Sequence, residues 1–448
     1  MISSPTTIAA LATPPGVGGM AVVRVSGPMT RPIAHAVLGD MPAPRLAARR
    51  RFCDAEGRAI DEGIALFFPA PHSYTGEDVL ELHAHGAPIV VDMLLKRVVG
   101  LGARLARPGE FSERAFLNGK LDLVQAEALA DLISAGSEAA ARSALRSLTG
   151  EFSRRVRAIV MALIELRTYV EAAIDFPEEE IDFLSDERIS SELSSAHARI
   201  DALLAGARQG SVLQAGMTIV LAGAPNAGKS SLLNALTAED AAIVSPTPGT
   251  TRDIVRMHMD LDGMPVRVLD TAGLRRASDA VEQEGVTRAH AAIAQADRVL
   301  VVIDDGEAPE HQVNIEQYIP AEIPRTRVYN KIDLTGRAPG TVGGDAASIA
   351  VSAKTGAGLE ELRAHLKHCM GFRPVGEGDF IARRRHIDAI ERARDFITRG
   401  QRQLADHRAG ELLAEDLRRA QQALGEITGE FTSEDLLSRI FSSFCIGK

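Results

Sequence analysis

Three textures of hydrophobic and polar positions follow one another along the chain. Up to about Asn118, short β-rich runs alternate with Gly- and Pro-containing turns. Met20-Ala-Val-Val-Arg-Val, Gly63-Ile-Ala-Leu-Phe-Phe and Asp78-Val-Leu-Glu-Leu-His are examples, and they predict an α+β domain. From about Leu121 the period becomes helical. Leu145, Leu148, Phe152, Val156, Ile159, Val160 and Leu163 are expected on one helical face. Ile189, Leu193, Ile200, Leu203 and Leu204 repeat the pattern after a break at Asp175-Phe-Pro-Glu-Glu-Glu.

At Met217 strands begin to alternate with helices. Thr218-Ile-Val-Leu-Ala, Val266-Arg-Val-Leu-Asp, Arg298-Val-Leu-Val-Val-Ile and Arg325-Thr-Arg-Val-Tyr-Asn are the candidate strands. This spacing predicts a mostly parallel sheet covered by helices on both faces. After Phe372 the helical period returns, with Ile387, Ile390, Ala393 and Ile397 on one face. The expectation is a multidomain α/β protein in four parts: an N-terminal α+β domain (1–119), a first helical part (120–213), an inserted Ras-like P-loop domain (214–372) and a second helical part (373–448). Insertion is easy when the guest's termini lie close together.

A length of 448 residues agrees with several domains. No apolar run reaches the span of a membrane helix, so no membrane association is expected. The N-terminus carries no basic leader, and Pro14-Pro15-Gly16 interrupts it, which argues against a signal peptide. Three scattered cysteines (Cys53, Cys369, Cys445) fit a reducing cytoplasm rather than a disulfide framework. A net charge of -10, no Trp and 4% aromatics exclude a broad basic nucleic-acid surface or a stacking platform for single strands. Arg49-Arg50-Arg51 and Arg383-Arg384-Arg385 remain as local basic runs.

The chemistry lies in the third texture. Gly223-Ala-Pro-Asn-Ala-Gly-Lys-Ser joins a strand to a helix, the context in which this pattern cradles phosphates on backbone amides and a helix N-terminus. Asn226, Ala227, Gly228, Lys229, Ser230 and Ser231 are therefore candidate GTP contacts, with Lys229 on the β- and γ-phosphates and the Ser230 hydroxyl on Mg²⁺. Gly249-Thr-Thr-Arg-Asp lies where a switch loop brings Thr250 and Thr251 to the nucleotide, Thr251 onto Mg²⁺. Asp270-Thr-Ala-Gly ends a strand and offers Asp270, Thr271, Ala272 and Gly273 to the metal and γ-phosphate. Asn330-Lys-Ile-Asp supplies Asn330, Lys331 and Asp333. The Asp333 carboxylate accepts from guanine N1–H and its 2-amino group, a donor pair adenine lacks. Ser352, Ala353 and Lys354 close over the base.

Many signalling GTPases orient the attacking water with a glutamine after this glycine; here Leu274 stands there. Asn226, Ser245, Thr247 and Thr250 can supply oxygens to a potassium ion, which would put positive charge near the leaving oxygen. Glu282 can position the water, making it a catalytic candidate beside Lys229 and Asp270. A surface carboxylate at 282 and a plain turn residue at 226 are the alternatives.

These motifs fit several GTPases of the Era-like group, but the flanks are narrower. Thr7-Ile-Ala-Ala-Leu-Ala-Thr-Pro-Pro-Gly, Gly76-Glu-Asp-Val-Leu-Glu-Leu-His-Ala-His-Gly, the Arg107-to-Leu123 stretch and terminal Phe444-Cys-Ile-Gly-Lys resemble the tRNA modification GTPase (MnmE, TrmE) family over essentially the whole chain. The resemblance implies a homodimer through the N-terminal domain, and 5-formyl- or 5,10-methylene-tetrahydrofolate on Arg24, Glu81, Lys120 and Lys448. It implies potassium use and a complex with the FAD-dependent MnmG protein. That complex adds an aminomethyl or carboxymethylaminomethyl group at C5 of the tRNA wobble uridine. The rival expectation is an Era-like switch in ribosome or complex assembly. Two prolines in Ser245-Pro-Thr-Pro-Gly stiffen the switch loop, and Cys445 reads as a packing residue or a nucleophile.

Overall fold

The computed structural model describes residues 6–175, 187–237, 256–270, 293, 296–307, 319–373, 380–407, 409–431, 434–442, 444 and 447. The chain forms two compact units, Met1–Ala130 with Leu424–Lys448, and Asp131–Ala423.

The first unit is built on β1 (Ile8–Leu11), β2 (Gly18–Ser26), β3 (Ala48–Cys53), β4 (Ala59–Phe68), β5 (Val79–Gly86) and β6 (Arg104–Leu105). Their order is β3-β4-β5-β2-β1-β6, antiparallel except for the β1–β6 edge. Helices α1 (Thr30–Leu38) and α2 (Pro88–Gly100) cover one face. Val23, Val25, Leu80 and Leu82 alternate inward there against Ile33, Leu94 and Val98, the period-two burial of a sheet with one packed face. The short α3 (Glu110–Leu117) and α4 (Leu123–Ile133) follow. Leu123 and Ala126 join Phe441 and Phe444 of the C-terminal segment in a second small core.

In the second unit α5 (Glu138–Leu148), α6 (Glu151–Asp175) and α7 (Glu187–Ala215) precede the inserted sheet. That sheet comprises β7 (Met217–Gly223), β8 (Arg256–Leu261), β9 (Met264–Asp270), β10 (Arg298–Asp304), β11 (Arg325–Asn330), β12 (Gly340–Val342) and β13 (Asp345–Ala350). Helices α8 (Lys229–Thr237), α9 (Ile332–Thr335) and α10 (Leu359–Cys369) belong to it. The order β12-β13-β11-β10-β7-β9-β8 is parallel through its centre and antiparallel at both edges. Ile219 and Leu221 of β7 enter one core while Val220 and Ala222 enter the other, so this strand is apolar throughout because helices cover both faces.

The chain then returns through α11 (Arg384–His407) and α12 (Gly410–Thr428), with α13 (Glu434–Ser442) belonging to the first unit. Ile387, Ile390, Ala393 and Ile397 are buried, and α11 packs along α7, whose Ile189, Leu193 and Ile200 are also buried. The discontinuous helical pieces therefore do pack together. One expectation of phase fails: Leu145 is half exposed. The Thr149-Gly150 turn separates α5 from α6, so the apolar face does not run unbroken from one helix into the next.

Candidate functional site

β7, β10 and β11 are parallel neighbours, and the loops after their C-terminal ends carry the residues expected to meet the nucleotide, at the carboxyl edge where an open α/β sheet binds its ligands. After β7 the chain curls through Asn226, held at φ 65, and Gly228, at φ 93, before Lys229 opens α8. A Cβ on Gly228 would come within 2.2 Å of the Asn330 side-chain nitrogen, so glycine is required there for both conformation and space. Lys229 Nζ donates to the carbonyls of Gly223 and Ala224 at 2.8 Å each, which holds the ammonium over the loop. Asn226, Ser230 and Ser231 are exposed along its rim, while Ala227 is buried beneath it.

Asn330 ends β11 and is buried. Its Nδ2 donates to the Ala227 carbonyl at 3.0 Å, and its Oδ1 accepts from the Ala353 amide at 3.0 Å. One side chain thus stitches the phosphate loop to the Ser352–Lys354 loop. Ser352 Oγ donates to Asp333 Oδ1 at 2.7 Å, which holds that carboxylate oxygen in place. Lys354 is exposed.

Two pairings are not visible in the sequence, Lys331 with Asp304 and Ser352 with Asp333. Lys331, in the left-handed region at φ 68, donates to Asp304 Oδ2 at 2.7 Å, and the Gly306 amide donates to Asp304 Oδ1 at 3.0 Å. Burial pushes the Asp304 carboxyl up, but the Lys331 ammonium and Gly306 amide outweigh it and hold it below its ordinary value. The Asp304-Asp305-Gly306 turn after an apolar strand was the available signal. Ser352, expected to close over the base, is also the hydrogen-bond partner of Asp333.

A second polar cluster lies in the first unit. Arg24 Nε donates to Glu81 Oε1 at 2.9 Å, and Nη1 donates to the Gly447 carbonyl at 3.3 Å. The guanidinium lies 5.5 Å from the Tyr74 ring centroid and 5.8 Å from that of Phe111, and His83 meets the other Glu81 oxygen at 3.2 Å. Tyr74 is hydrogen bonded to Ser112, and burial pushes its phenol up. Arg24 and Glu81 are therefore paired directly; Lys120 instead donates to the Pro71 carbonyl at 3.0 Å.

Ser245, Thr247, Thr250, Thr251, Thr271, Ala272, Gly273, Leu274, Glu282, Cys445, Lys448 and the Asp270 side chain lie outside the described residues. The backbone of Asp270 is the last residue of β9, paired with Leu221 of β7. Among the described residues no group of His, Cys, Asp or Glu could by itself hold a metal ion, and no helix is long and apolar enough to cross a membrane.

Residues 7–120 match the family model described as the GTP-binding protein TrmE N-terminus. Residues 123–445 match the MnmE helical domain. A protein of Alkalilimnicola ehrlichii named tRNA modification GTPase MnmE is 59% identical over 444 residues, covering 99% of both chains. One of the same name from Hydrogenovibrio crunogenus is 58% identical over 445 residues, covering 99% of this chain and 98% of its own. Among solved structures, the FeoB G-domain from Methanococcus jannaschii is 23% identical with a TM-score of 0.27, covering 35% of this chain and 98% of its own. On the full-length identity and the two family matches, the chain belongs to the MnmE family of tRNA modification GTPases, enzymes that hydrolyse GTP in the service of tRNA modification.

Proposed function

We propose that GTP hydrolysis by this chain drives addition of an aminomethyl or carboxymethylaminomethyl group to C5 of the tRNA wobble uridine. It acts in the cytoplasm as a homodimer joined through the N-terminal domain, in complex with the FAD-dependent MnmG protein. A tetrahydrofolate supplies the one-carbon unit. The four-part division at 1–119, 120–213, 214–372 and 373–448 belongs to the same reading. The single observation that carries it is the convergence on the Arg24 guanidinium of Glu81, two aromatic rings and the carbonyl of Gly447, next to Lys448. Arg24 and Glu81, two of the four residues expected to hold a folate, are thus found together. The exposed apolar Val17, Met20 and Ile89 of the first unit supply the kind of surface a second copy covers.

The donor sets suit the groups they would hold. Oxygen ligands from Ser230 and Thr251 fit Mg²⁺, and those of Asn226, Ser245, Thr247 and Thr250 fit K⁺. Both ions supply positive charge to the phosphates. The Arg24 guanidinium and Lys120 and Lys448 ammoniums fit folate carboxylates and carbonyls. Glu81 fits the pterin amino group and ring N–H, and Tyr74 and Phe111 offer ring faces.

The residues of the site then divide the work. Gly228 and the α8 N-terminus aim amides at the phosphates. Lys229 exchanges the Gly223 and Ala224 carbonyls for β- and γ-phosphate oxygens. Asp333, held by Ser352, selects guanine; Asn330 keeps the phosphate and base loops in register. Asp270 would help hold the Mg²⁺ site, and Glu282 would orient the attacking water in place of the glutamine for which Leu274 stands.

Two assays test the reading. GTP turnover in potassium and in sodium chloride at equal ionic strength should differ strongly, and equal rates refute the cation site. Calorimetric titration with 5-formyl-tetrahydrofolate should show binding that Arg24→Ala abolishes; a variant that binds as the native chain does refutes the folate assignment. A fully active Glu282→Ala would remove that residue from catalysis.

A further inference from the structure

The β8–β9 hairpin ends at Asp270 on the nucleotide side and turns at Asp262-Gly263 on the other. That turn is held from outside the sheet. Ser137, which precedes α5 and is buried, accepts from the Ala140 amide at 3.1 Å. The same hydroxyl donates to the Gly263 carbonyl at 2.9 Å. One group is therefore both the N-cap of a helix and a tether on a strand turn, and neither can shift alone without losing a bond.

The surroundings leave little slack. The Gly263 amide donates to Asp260, and Asp262 pairs with Lys367 of α10. Gly263 sits at φ 92, where a Cβ would lie 3.4 Å from the Ala139 side chain. Pro265, two residues on, lies where a Cβ on Gly216 would come within 2.7 Å of its carbonyl oxygen and one on Gly136 within 3.7 Å of its ring. At its other end α5 holds the chain as it re-enters the helical part: Ser147 Oγ accepts from the Ile381 amide at 2.9 Å and meets the Ile381 carbonyl at 3.3 Å. Ile381 leads directly into α11.

We propose that Ser137 is a positioning residue which ties the nucleotide state of the GTPase fold to the helical part, through the Gly263 carbonyl at one end and α5 at the other. β8 and β9 are paired from Arg256–Leu269 to Leu261–Met264, so the ribbon is stiff along its length. A change in aim at Asp270 reaches the turn about 23 Å away as a displacement of the whole hairpin. There the tether passes it to α5, and Ser147 passes it to α11. This inference rests on GTP hydrolysis by the family, independently of the potassium and folate assignments.

Substitution separates the two roles of Ser137. Ser137→Thr keeps acceptor and donor. Ser137→Asp keeps a good N-cap acceptor but at neutral pH has no proton for the Gly263 carbonyl. Hydrogen–deuterium exchange of the full chain is measured with Mg²⁺ and either GDP or a non-hydrolysable GTP analogue. In the native protein and in Ser137→Thr, the α5 amides should exchange differently in the two states. In Ser137→Asp that difference should fall about fivefold, the worth of one neutral hydrogen bond, with GDP affinity unchanged. A purely structural role would raise exchange in both states and leave their ratio intact. Should Ser137→Asp not fold, Ser137→Ala, which deletes both bonds at the ordinary cost of a lost cap, is read by the same ratio. The proposal is overturned if the variant retains the native difference, or if native α5 is indifferent to the nucleotide.

Discussion

Asn330 is 1% exposed and bridges two loops that no strand joins, the phosphate loop at Ala227 and the base loop at Ala353. Asn330→Ala leaves the Ala227 carbonyl and the Ala353 amide without the side chain that joins them. Each such group costs about 1–3 kcal/mol when left without a partner, so the pair is worth about 2–6 kcal/mol. The strands beneath are packed on both faces and stay in place, so the loss falls on the loops. Titration with a fluorescent GDP analogue should show affinity weakened by about 30-fold or more, the equivalent of the lower bound. Asn330→Asp, which keeps the acceptor for Ala353 but lacks the donor for Ala227, should fall between. Native affinity in Asn330→Ala, with an unchanged melting temperature, would refute the claim that this amide holds the two loops in register.

Further expectations follow from other contacts. Asp333→Asn should weaken GTP by about 2 kcal/mol and favour a base with a 2-oxo group, measured by competition between GTP and XTP; unaltered selectivity would contradict the base-reading role. Burial pushes the Glu110 carboxyl up, but Arg104, the Arg107 amide and Arg114 outweigh it and bring it from the ordinary 4.5 to about 2. Because the folded value is depressed, its stabilisation is complete above the ordinary value and is lost as pH falls from there towards about 2. Glu110→Gln should flatten that acid limb in thermal melts; because Arg114 keeps Glu77, Arg107 keeps Glu113 and Arg104 reaches solvent, the cost at neutral pH should be about 1–3 kcal/mol, that of lost charge-assisted hydrogen bonds.

What could be read in advance was local. Gly223-to-Ser230 and Asn330-to-Asp333 each carry their chemistry within one loop, and the strands leading into them are apolar runs of the kind a two-sided sheet demands. β8 and β12 do not stand out because edge strands are short and polar on one side; β13, paired on both sides, opens on Asp345-Ala-Ala-Ser and carries no apolar run. The α5–α6 phase was misjudged because a two-residue turn shifts helical register without interrupting the apolar count. Asp304 lies 27 residues from Lys331 and Ser137 lies 126 from Gly263. No period or motif links such pairs, and only the fold brings them together. The Arg24 cluster sits between: Arg24 and Glu81 are register partners of β2 and β5, and it took the family resemblance to mark them among ordinary charges.

The central claim is that GTP hydrolysis here serves modification of the tRNA wobble uridine. Mass spectrometry of tRNA nucleosides from a strain lacking the gene, complemented with the native chain or with Lys229→Ala, addresses it most directly. The C5-modified uridines should vanish on deletion, return with the native chain and stay absent with Lys229→Ala. Full modification in the deletion strain with no second copy of the gene, or restoration by Lys229→Ala, would contradict it.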